Sequence, residues 1–345
     1  MGEGMKLSTY MLRRVIFSIF SLLGLSVLVF TLSRVLPGDP ARMAAGPRAP
    51  EWVVEQIRTQ LNLDKPLFVQ YILWIEDVLR GDLGYSLTTR RSVTLDVIEF
   101  LPATLELILL STIIFIIGAI VLGTIAGRWA YRTPDNIVRA FAYVGVSTPA
   151  FVWAIIFQLI FAWWLGWFPI QGSFSEGITP PPRITGFKLI DSIISGNFIA
   201  FKDYLWHMIL PSLALAMSPM AQTARIIRTS MVENAGKDFI ALAESHGLPE
   251  RLIMLKYLLK PSLIPAVTVM GMSIAALLSN AFLVEVVFNW PGFSRYAISA
   301  MLNKDLNAIV ASVLIIGIVY AISNIIVDIV VAYLDPRTRY MERGE

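Results

Sequence analysis

The sequence predicts an all-α membrane protein with six transmembrane helices, and three observations carry that prediction. Of 345 residues, 56 % are hydrophobic and only 15 % are charged, whereas a soluble domain carries charge on about a quarter of its residues. Mean hydropathy is positive, at +0.67. Six apolar runs each reach the length of about 20 residues that a helix needs to cross a hydrocarbon core. There are no cysteines, which excludes disulfides, thiolate metal sites and cysteine nucleophiles.

The first run, Val15 to Leu36, follows Arg13 and Arg14. It is too long for the apolar region of a signal peptide, and no A-x-A site follows it, so it is expected to stay as an anchor helix. The segment from Pro37 to Leu101 is longer than a connector requires. It holds a helix-like stretch, Glu51 to Leu61, and an apolar-aromatic stretch, Phe68 to Leu79, and is expected to fold as a cap outside the membrane. The second run is Ala103 to Ala126. The third, Val138 to Trp167, contains Pro149, which removes an i→i−4 hydrogen bond and predicts a kink. Ser147 or Thr148 could satisfy part of what the proline frees. A kink there suits a pore-lining helix or a simple packing bend. The fourth run is Leu205 to Thr223, the fifth Leu263 to Val287 and the sixth Ile309 to Leu334. Pro180, Pro181 and Pro182 stiffen the loop before the fourth run.

Basic residues set the orientation. Lys6, Arg13 and Arg14, then Arg128, Arg132 and Arg139, then Arg225 to Lys260, then Arg337, Arg339 and Arg343 fall on one side of a six-helix chain. That side is predicted to be cytoplasmic, with both termini. Trp163, Trp164, Trp167 and Phe168 then fall at the outer interface, where amphipathic rings settle.

Several chemistries are absent from the sequence. No G-x-x-x-x-G-K-[ST] occurs, because Gly236-Lys237 is followed by Asp238, so no nucleotide site of that kind is expected. His207 and His246 flank opposite ends of the fourth run and its following segment, too far apart for one metal. Gly271-Met272-Ser273 begins like a hydrolase elbow but lacks the closing glycine, and a small-residue helix contact explains it better. Glu106, Glu285 and Asp328 are the main ionisable residues in the runs. They read as hydrogen-bonding groups near helix ends, with a proton relay as the sharper alternative.

The segment Arg225 to Pro261 is patterned. Phe239, Ile240, Leu242 and Ala243 form one apolar stripe, and Leu252, Ile253, Leu255, Leu258 and Leu259 another. Gly247-Leu248-Pro249 lies between them, so two short helices joined by a turn are expected. Periodicity alone leaves open whether they lie on the membrane or dock into a partner's cleft.

The run Asp238-Phe239-Ile240-Ala241-Leu242-Ala243-Glu244-Ser245-His246-Gly247 resembles the coupling-loop motif of ATP-binding-cassette importer permeases, Glu-Ala-Ala, three residues, then Gly. Ala241 and Leu242 replace the first two positions, while Ala243 and Gly247 match. Leu36-Pro37-Gly38-Asp39-Pro40, Arg80-Gly81-Asp82-Leu83-Gly84-Tyr85-Ser86-Leu87, Leu101-Pro102-Ala103-Thr104-Leu105-Glu106-Leu107, Phe288-Asn289-Trp290-Pro291-Gly292-Phe293 and Leu334-Asp335-Pro336-Arg337 resemble, in order, motifs of the oligopeptide/dipeptide/nickel permeases within that group.

The resemblance implies a type I importer (MetI-like) fold. Residues 1–36 would form a tail and a peripheral helix, 37–101 an external subdomain, 102–334 the core with the coupling loop 225–261, and 335–345 a cytoplasmic tail. It implies a homologous second permease, two ATPase subunits that bind ATP and Mg, and an extracellular solute-binding protein, with no cofactor in this chain and no enzyme activity of its own. By the same resemblance Asp238, Ala241, Ala243, Glu244, Gly247 and Leu248 couple to the ATPase, and Pro149, Glu285, Trp290, Pro291 and Gly292 are pathway or gate candidates. Di- and oligopeptides are the first expectation for the solute, with oligosaccharides and then nickel behind. A proton-coupled carrier and a membrane scaffold are the competing classes.

Overall fold

A computed structural model describes residues 7–35, 40–46, 48–60 and 62–334. Lys6, most of the Leu36–Pro40 motif, and Asp335, Pro336, Arg337 and the rest of the tail lie outside the described residues. The chain runs α1 (Leu7–Val35), α2 (Pro40–Ala45), α3 (Glu51–Gln60), α4 (Leu67–Leu79), β1 (Tyr85–Ser86), β2 (Arg91–Ser92), α5 (Val93–Arg128), α6 (Thr133–Ser147), α7 (Ala150–Phe157), α8 (Lys188–Ile194), α9 (Phe198–Ala235), α10 (Asp238–Ser245), α11 (Glu250–Leu252), α12 (Lys260–Val287), α13 (Phe293–Leu302) and α14 (Leu306–Leu334). π-helical turns extend α7 over Gln158–Trp164 and join α11 to α12 over Ile253–Leu259.

Among the described residues, four helices are long and apolar enough to cross a membrane: Met11–Arg34, Val93–Arg128, Glu250–Val287 and Leu306–Ile329. Thr133–Ser147 and Ala150–Trp164 make a fifth crossing if the pair is one span, but they are bent by 111°. The kink expected at Pro149 is therefore a full break. Pro149 is extended (φ −59°, ψ 148°) and starts α7 rather than bending a continuous helix. The Ser147 hydroxyl donates to the Val144 carbonyl at 3.2 Å.

The fourth expected run lies inside α9, a helix of 38 residues and so about 57 Å long. It is less apolar than the others because its surroundings are protein. α9 packs against α5, α6, α7, α8 and α12, and Met208, Leu215, Ala221, Ala224, Ile227 and Met231 are buried along it. Its contact with α5 is close. A Cβ added at Gly118, Gly123 or Gly127 of α5 would overlap Met220, Ile227 or Met231 of α9, so hydrogen is the only side chain that fits, as in small-residue helix seams within bilayers.

α1 packs on α14 and exposes Leu12, Phe17, Phe20 and Leu28. α4 returns onto the end of α1, where Tyr71 and Ser26 hydroxyls lie 2.9 Å apart and Phe30 packs against Tyr71 and Trp74. The antiparallel β1–β2 hairpin then clasps the start of α14. Ser86 donates its hydroxyl to buried Asp305 at 2.6 Å, the Thr88 amide donates to the same carboxylate, and Asn307 donates to the Tyr85 carbonyl. The Arg80–Leu87 motif thus builds the strap between the cap and the bundle.

Between α9 and α12, one short helix forms as expected, α10. The second does not stand alone. Its residues run straight through the π-helical turn into α12, giving one helix from Glu250 to Val287. Pro261 and Pro265 lie inside this helix without ending it, and the π-helical turn Ile253–Leu259 directly precedes Lys260 and Pro261, an irregular turn of the kind that adjusts backbone hydrogen bonding beside a proline.

Candidate functional site

Apart from Pro149, the residues nominated by sequence collect at the two ends of the 38-residue Glu250–Val287 helix, about 57 Å apart. At the first end, α10 folds back on the π-helical turn. Ile240 and Ala243 are buried against Ile253, with Leu248, Tyr257 and Leu258 partly buried around them. Gly247 has φ +69°, a left-handed conformation that glycine adopts without a Cβ clash. The Leu248 amide donates to the Ala243 carbonyl and the Gly247 amide to the Glu244 carbonyl, the paired bonds of a Schellman cap. Gly247 therefore turns the chain and ends α10 at the same time.

Ala243 faces inward and Leu248 is half-buried, so both support the hairpin from beneath. Asp238, Ala241 and Glu244 are exposed. Beside them Phe239 is 39 % and Leu242 59 % exposed. These two apolar side chains were not among the nominated residues, although they belong to the predicted stripe. The stripe splits, with Ile240 and Ala243 in and Phe239 and Leu242 out.

The hairpin is fastened to the bundle by polar contacts. Asn234, at the end of α9, donates to the Ser262 hydroxyl at 2.9 Å and accepts from the Lys237 ammonium at 2.7 Å. Arg128, at the end of α5, donates to Glu250 at 2.8 Å.

At the other end of the helix, Glu285 is fully buried. Thr104 of α5 donates its hydroxyl to one carboxylate oxygen at 2.5 Å, and the Arg295 amide at the start of α13 donates to the other at 2.9 Å. The Phe293 amide donates to the Thr104 hydroxyl at 2.7 Å. Glu285 thus caps the N-terminus of α13 from another helix, an arrangement favoured by the free amides and the helix dipole. A Cβ at Gly292 would overlap the Glu285 carboxylate, so glycine is needed here for space. The Gly292 amide donates back to the Trp290 carbonyl across Pro291 at 2.8 Å. Trp290 is fully buried, donates its indole N–H to the Ala103 carbonyl at 3.1 Å and packs on Tyr204 at 5.1 Å.

Glu285, Trp290, Pro291 and Gly292 therefore form one clamp with Ala103 and Thr104. Pro149 is not part of it and marks the α6–α7 break. Thr104 was quoted in a motif without a role, and nothing local to it signals a partner 181 residues away.

The other carboxylates also have partners. Glu106 accepts from the Tyr204 hydroxyl at 2.7 Å and the Leu189 amide at 2.8 Å. Asp328 pairs with Arg14 at 3.3 Å. The hydrogen-bonding reading of these groups fits this geometry. Among the described residues, no group of three His, Asp or Glu side chains could hold a metal ion.

Asp191, in the first turn of α8, gathers four donors from the loop that passes Pro102: the amides of Ile184, Thr185 and Gly186 and the Thr185 hydroxyl. Burial alone would raise its carboxyl, but these hydrogen bonds outweigh burial and hold it below the ordinary carboxylate value.

Comparison with known proteins gives one consistent answer. The family described as binding-protein-dependent transport system inner membrane component matches residues 119–340, and its N-terminal counterpart matches residues 7–108. A probable D,D-dipeptide transport system permease protein, DdpB of Escherichia coli (strain K12), is 38 % identical over 314 residues, covering 91 % of this chain and 92 % of the relative. The dipeptide transport system permease protein DppB of Alkalihalophilus pseudofirmus is 36 % identical over 335 residues, covering 96 % and 99 %. The glutathione transport system permease protein GsiC of Salmonella typhimurium is 35 % identical over 332 residues, with the same coverage.

Proposed function

The chain belongs to the family of binding-protein-dependent transport system inner membrane components, and from that premise we propose that it is a permease subunit of an ATP-binding-cassette importer of di- and oligopeptides. It is a multi-pass inner-membrane protein and not an enzyme. The observation that carries the mechanism is the continuous helix from Glu250 to Val287. It starts beneath an exposed apolar docking helix and ends on a buried, hydrogen-bonded clamp. In this reading Phe239, Leu242, Ala241, Glu244 and Asp238 meet a groove of a cytoplasmic ATPase subunit. Ile240, Ala243, Gly247 and Leu248 hold α10 rigidly enough to pass on its displacement.

The long helix moves as one body beyond Pro265, where α12 runs on to Val287 with no further proline and its turns are tied by backbone hydrogen bonds. Closure of the ATPase pair around ATP and Mg then tilts the clamp at the far end and, with it, the Trp290-Pro291-Gly292 segment. The complete importer has a homologous second permease, two ATPase subunits and an extracellular binding protein. α9 is the sixth crossing, and both termini are cytoplasmic. Pro149 sits on the pathway at the α6–α7 break.

The peptide assignment follows the relatives, whose names specify dipeptides, di/tripeptides or glutathione. The test is uptake of labelled dipeptide by membrane vesicles carrying the whole complex, with ATP supplied inside. ATP-dependent dipeptide uptake is expected, abolished by Leu242→Asp while the complex still hydrolyses ATP. Uptake driven by a proton gradient without ATP overturns the importer reading. ATP-dependent uptake of an oligosaccharide or nickel in place of peptide overturns only the cargo.

A further inference from the structure

Beside the α5–α6 turn, at the same end as α10, a cavity of about 260 Å³ opens between α5, α6 and α9. Its polar lining is Tyr131, Arg139, Tyr143, Arg225, Arg228 and Thr229, with Ala126, Val138 and Ala142 behind them and no carboxylate among the lining residues. The three guanidinium groups are not equivalent. Arg228 is neutralised, because its Nε donates to Asp135 Oδ1 at 3.0 Å and its terminal nitrogen to Oδ2 at 2.7 Å. The Tyr131 amide donates to the same carboxylate at 2.8 Å, and the Tyr131 ring lies 5.2 Å from the Arg228 guanidinium. Asp135 is fully buried and has no accessible oxygen to offer a third cation.

Among the described residues, Arg139 and Arg225 have no hydrogen-bond or ion-pair partner for their guanidinium groups, and both are exposed and line the cavity. Two forks without a direct hydrogen-bonded partner, Arg139 feeling Asp135 only through space, thus converge on a concave site that already holds one paired fork in place. A planar guanidinium offers parallel N–H donors that match a phosphate edge. The surface leading away from the cavity is also patterned. Tyr143 and Val146 follow Arg139 at i+4 and i+7, on one face of α6, and are 60 % and 38 % exposed. A stripe of cation, amphipathic ring and aliphatic side chain therefore runs from the turn toward the α6–α7 break. That order matches headgroup, interface and acyl chain in a bilayer.

We propose that this cavity is a phosphate-ester site that holds the headgroup of an anionic phospholipid, with Arg139 and Arg225 as its ligands and Tyr143 against the glycerol. The site is independent of the peptide reading, since it lies away from both the clamp and the exposed face of α10. Its occupant would pin α6 to the end of α9 and so bias the α6–α7 break.

The test is native mass spectrometry of the full chain, with its co-purifying subunits, taken from nanodiscs of phosphatidylglycerol mixed equally with phosphatidylcholine. The wild type is expected to retain phosphatidylglycerol in preference. The double variant Arg139→Ala/Arg225→Ala is expected to lose that preference by roughly 10- to 30-fold. Arg132→Ala, on the same turn but outside the cavity, is expected to keep it, which separates a site from general surface charge. Unchanged thermal unfolding of the double variant shows that lost retention is not lost folding. Equal retention by the wild type and the double variant overturns the site. Loss of retention in Arg132→Ala to the same degree also overturns it. Binding of inorganic phosphate by the wild type, with no preference between the two lipids, overturns the lipid as its source.

Discussion

The two ends of the Glu250–Val287 helix are built on opposite plans. At Glu285 both carboxylate oxygens have a donor, Trp290 is sealed, and even the space beside the carboxylate is used up by leaving Gly292 without a side chain. At α10 only the inner face is finished, and Phe239 and Leu242 stand in the open. Burial with full hydrogen bonding holds a geometry, while unpartnered apolar surface awaits a partner. Force entering at the open end can therefore reach the closed end without being absorbed there.

Breaking the closed end carries the largest expected cost. Glu285→Ala strands the Thr104 hydroxyl and the amides at the start of α13, and a loss of about 3 kcal/mol of stability is expected, read as a fall in unfolding temperature in detergent. Gly292→Ala attacks the same clamp through space, forcing a methyl group onto the carboxylate, and should cost about 2 kcal/mol. If Gly292→Ala unfolds at the wild-type temperature, the clamp is looser than its hydrogen bonds imply.

Gly247→Ala puts a Cβ into the left-handed cap of α10 at a cost of about 1 kcal/mol. It should lower dipeptide uptake at unchanged expression. Acid sharpens the contrast at the closed end. Asp191 is held below the ordinary carboxylate value, so its contribution is complete above that value and is lost as pH falls through its folded one. Below about pH 4 the wild-type unfolding temperature should fall more steeply than that of Asp191→Asn. Parallel curves would remove Asp191 from the account.

Leu242→Asp should change stability by no more than about 0.5 kcal/mol, the smallest effect of the series, while uncoupling transport from hydrolysis. Leu248→Asp is a poorer probe of docking, since Leu248 packs beneath α10 and its loss would unseat the hairpin as well.

The apolar runs located the long helices because lipid imposes one requirement along a whole crossing. α9 was harder to place from composition, because other helices take the place of lipid around it. The cap glycine was legible in Gly247-Leu248-Pro249, since turn chemistry is local. Which half of the α10 stripe faced inward was not legible, because Phe239, Ile240, Leu242 and Ala243 are all apolar and only the position of Ile253 decides. Prolines misled in both directions. Pro149 ended a helix that was expected to bend, and Pro261 lay inside one that was expected to start only after it. Thr104 and Glu285 were both visible, but their pairing is a product of tertiary folding.

The α6–α7 break has a consequence for isotope exchange. Pro149 has no amide, so the Gly145 carbonyl has no i+4 donor, and at membrane depth such backbone persists only where protein or water satisfies it. Gly145 itself is buried while Ser147 and Pro149 beside it are exposed, so a pathway running past the break would bring water to within a turn of it. Deuterium should therefore enter this protein from its middle, at the amides just after Pro149, before it reaches the seam between α5 and α9. A protection map would then show a wet notch halfway across an otherwise dry span.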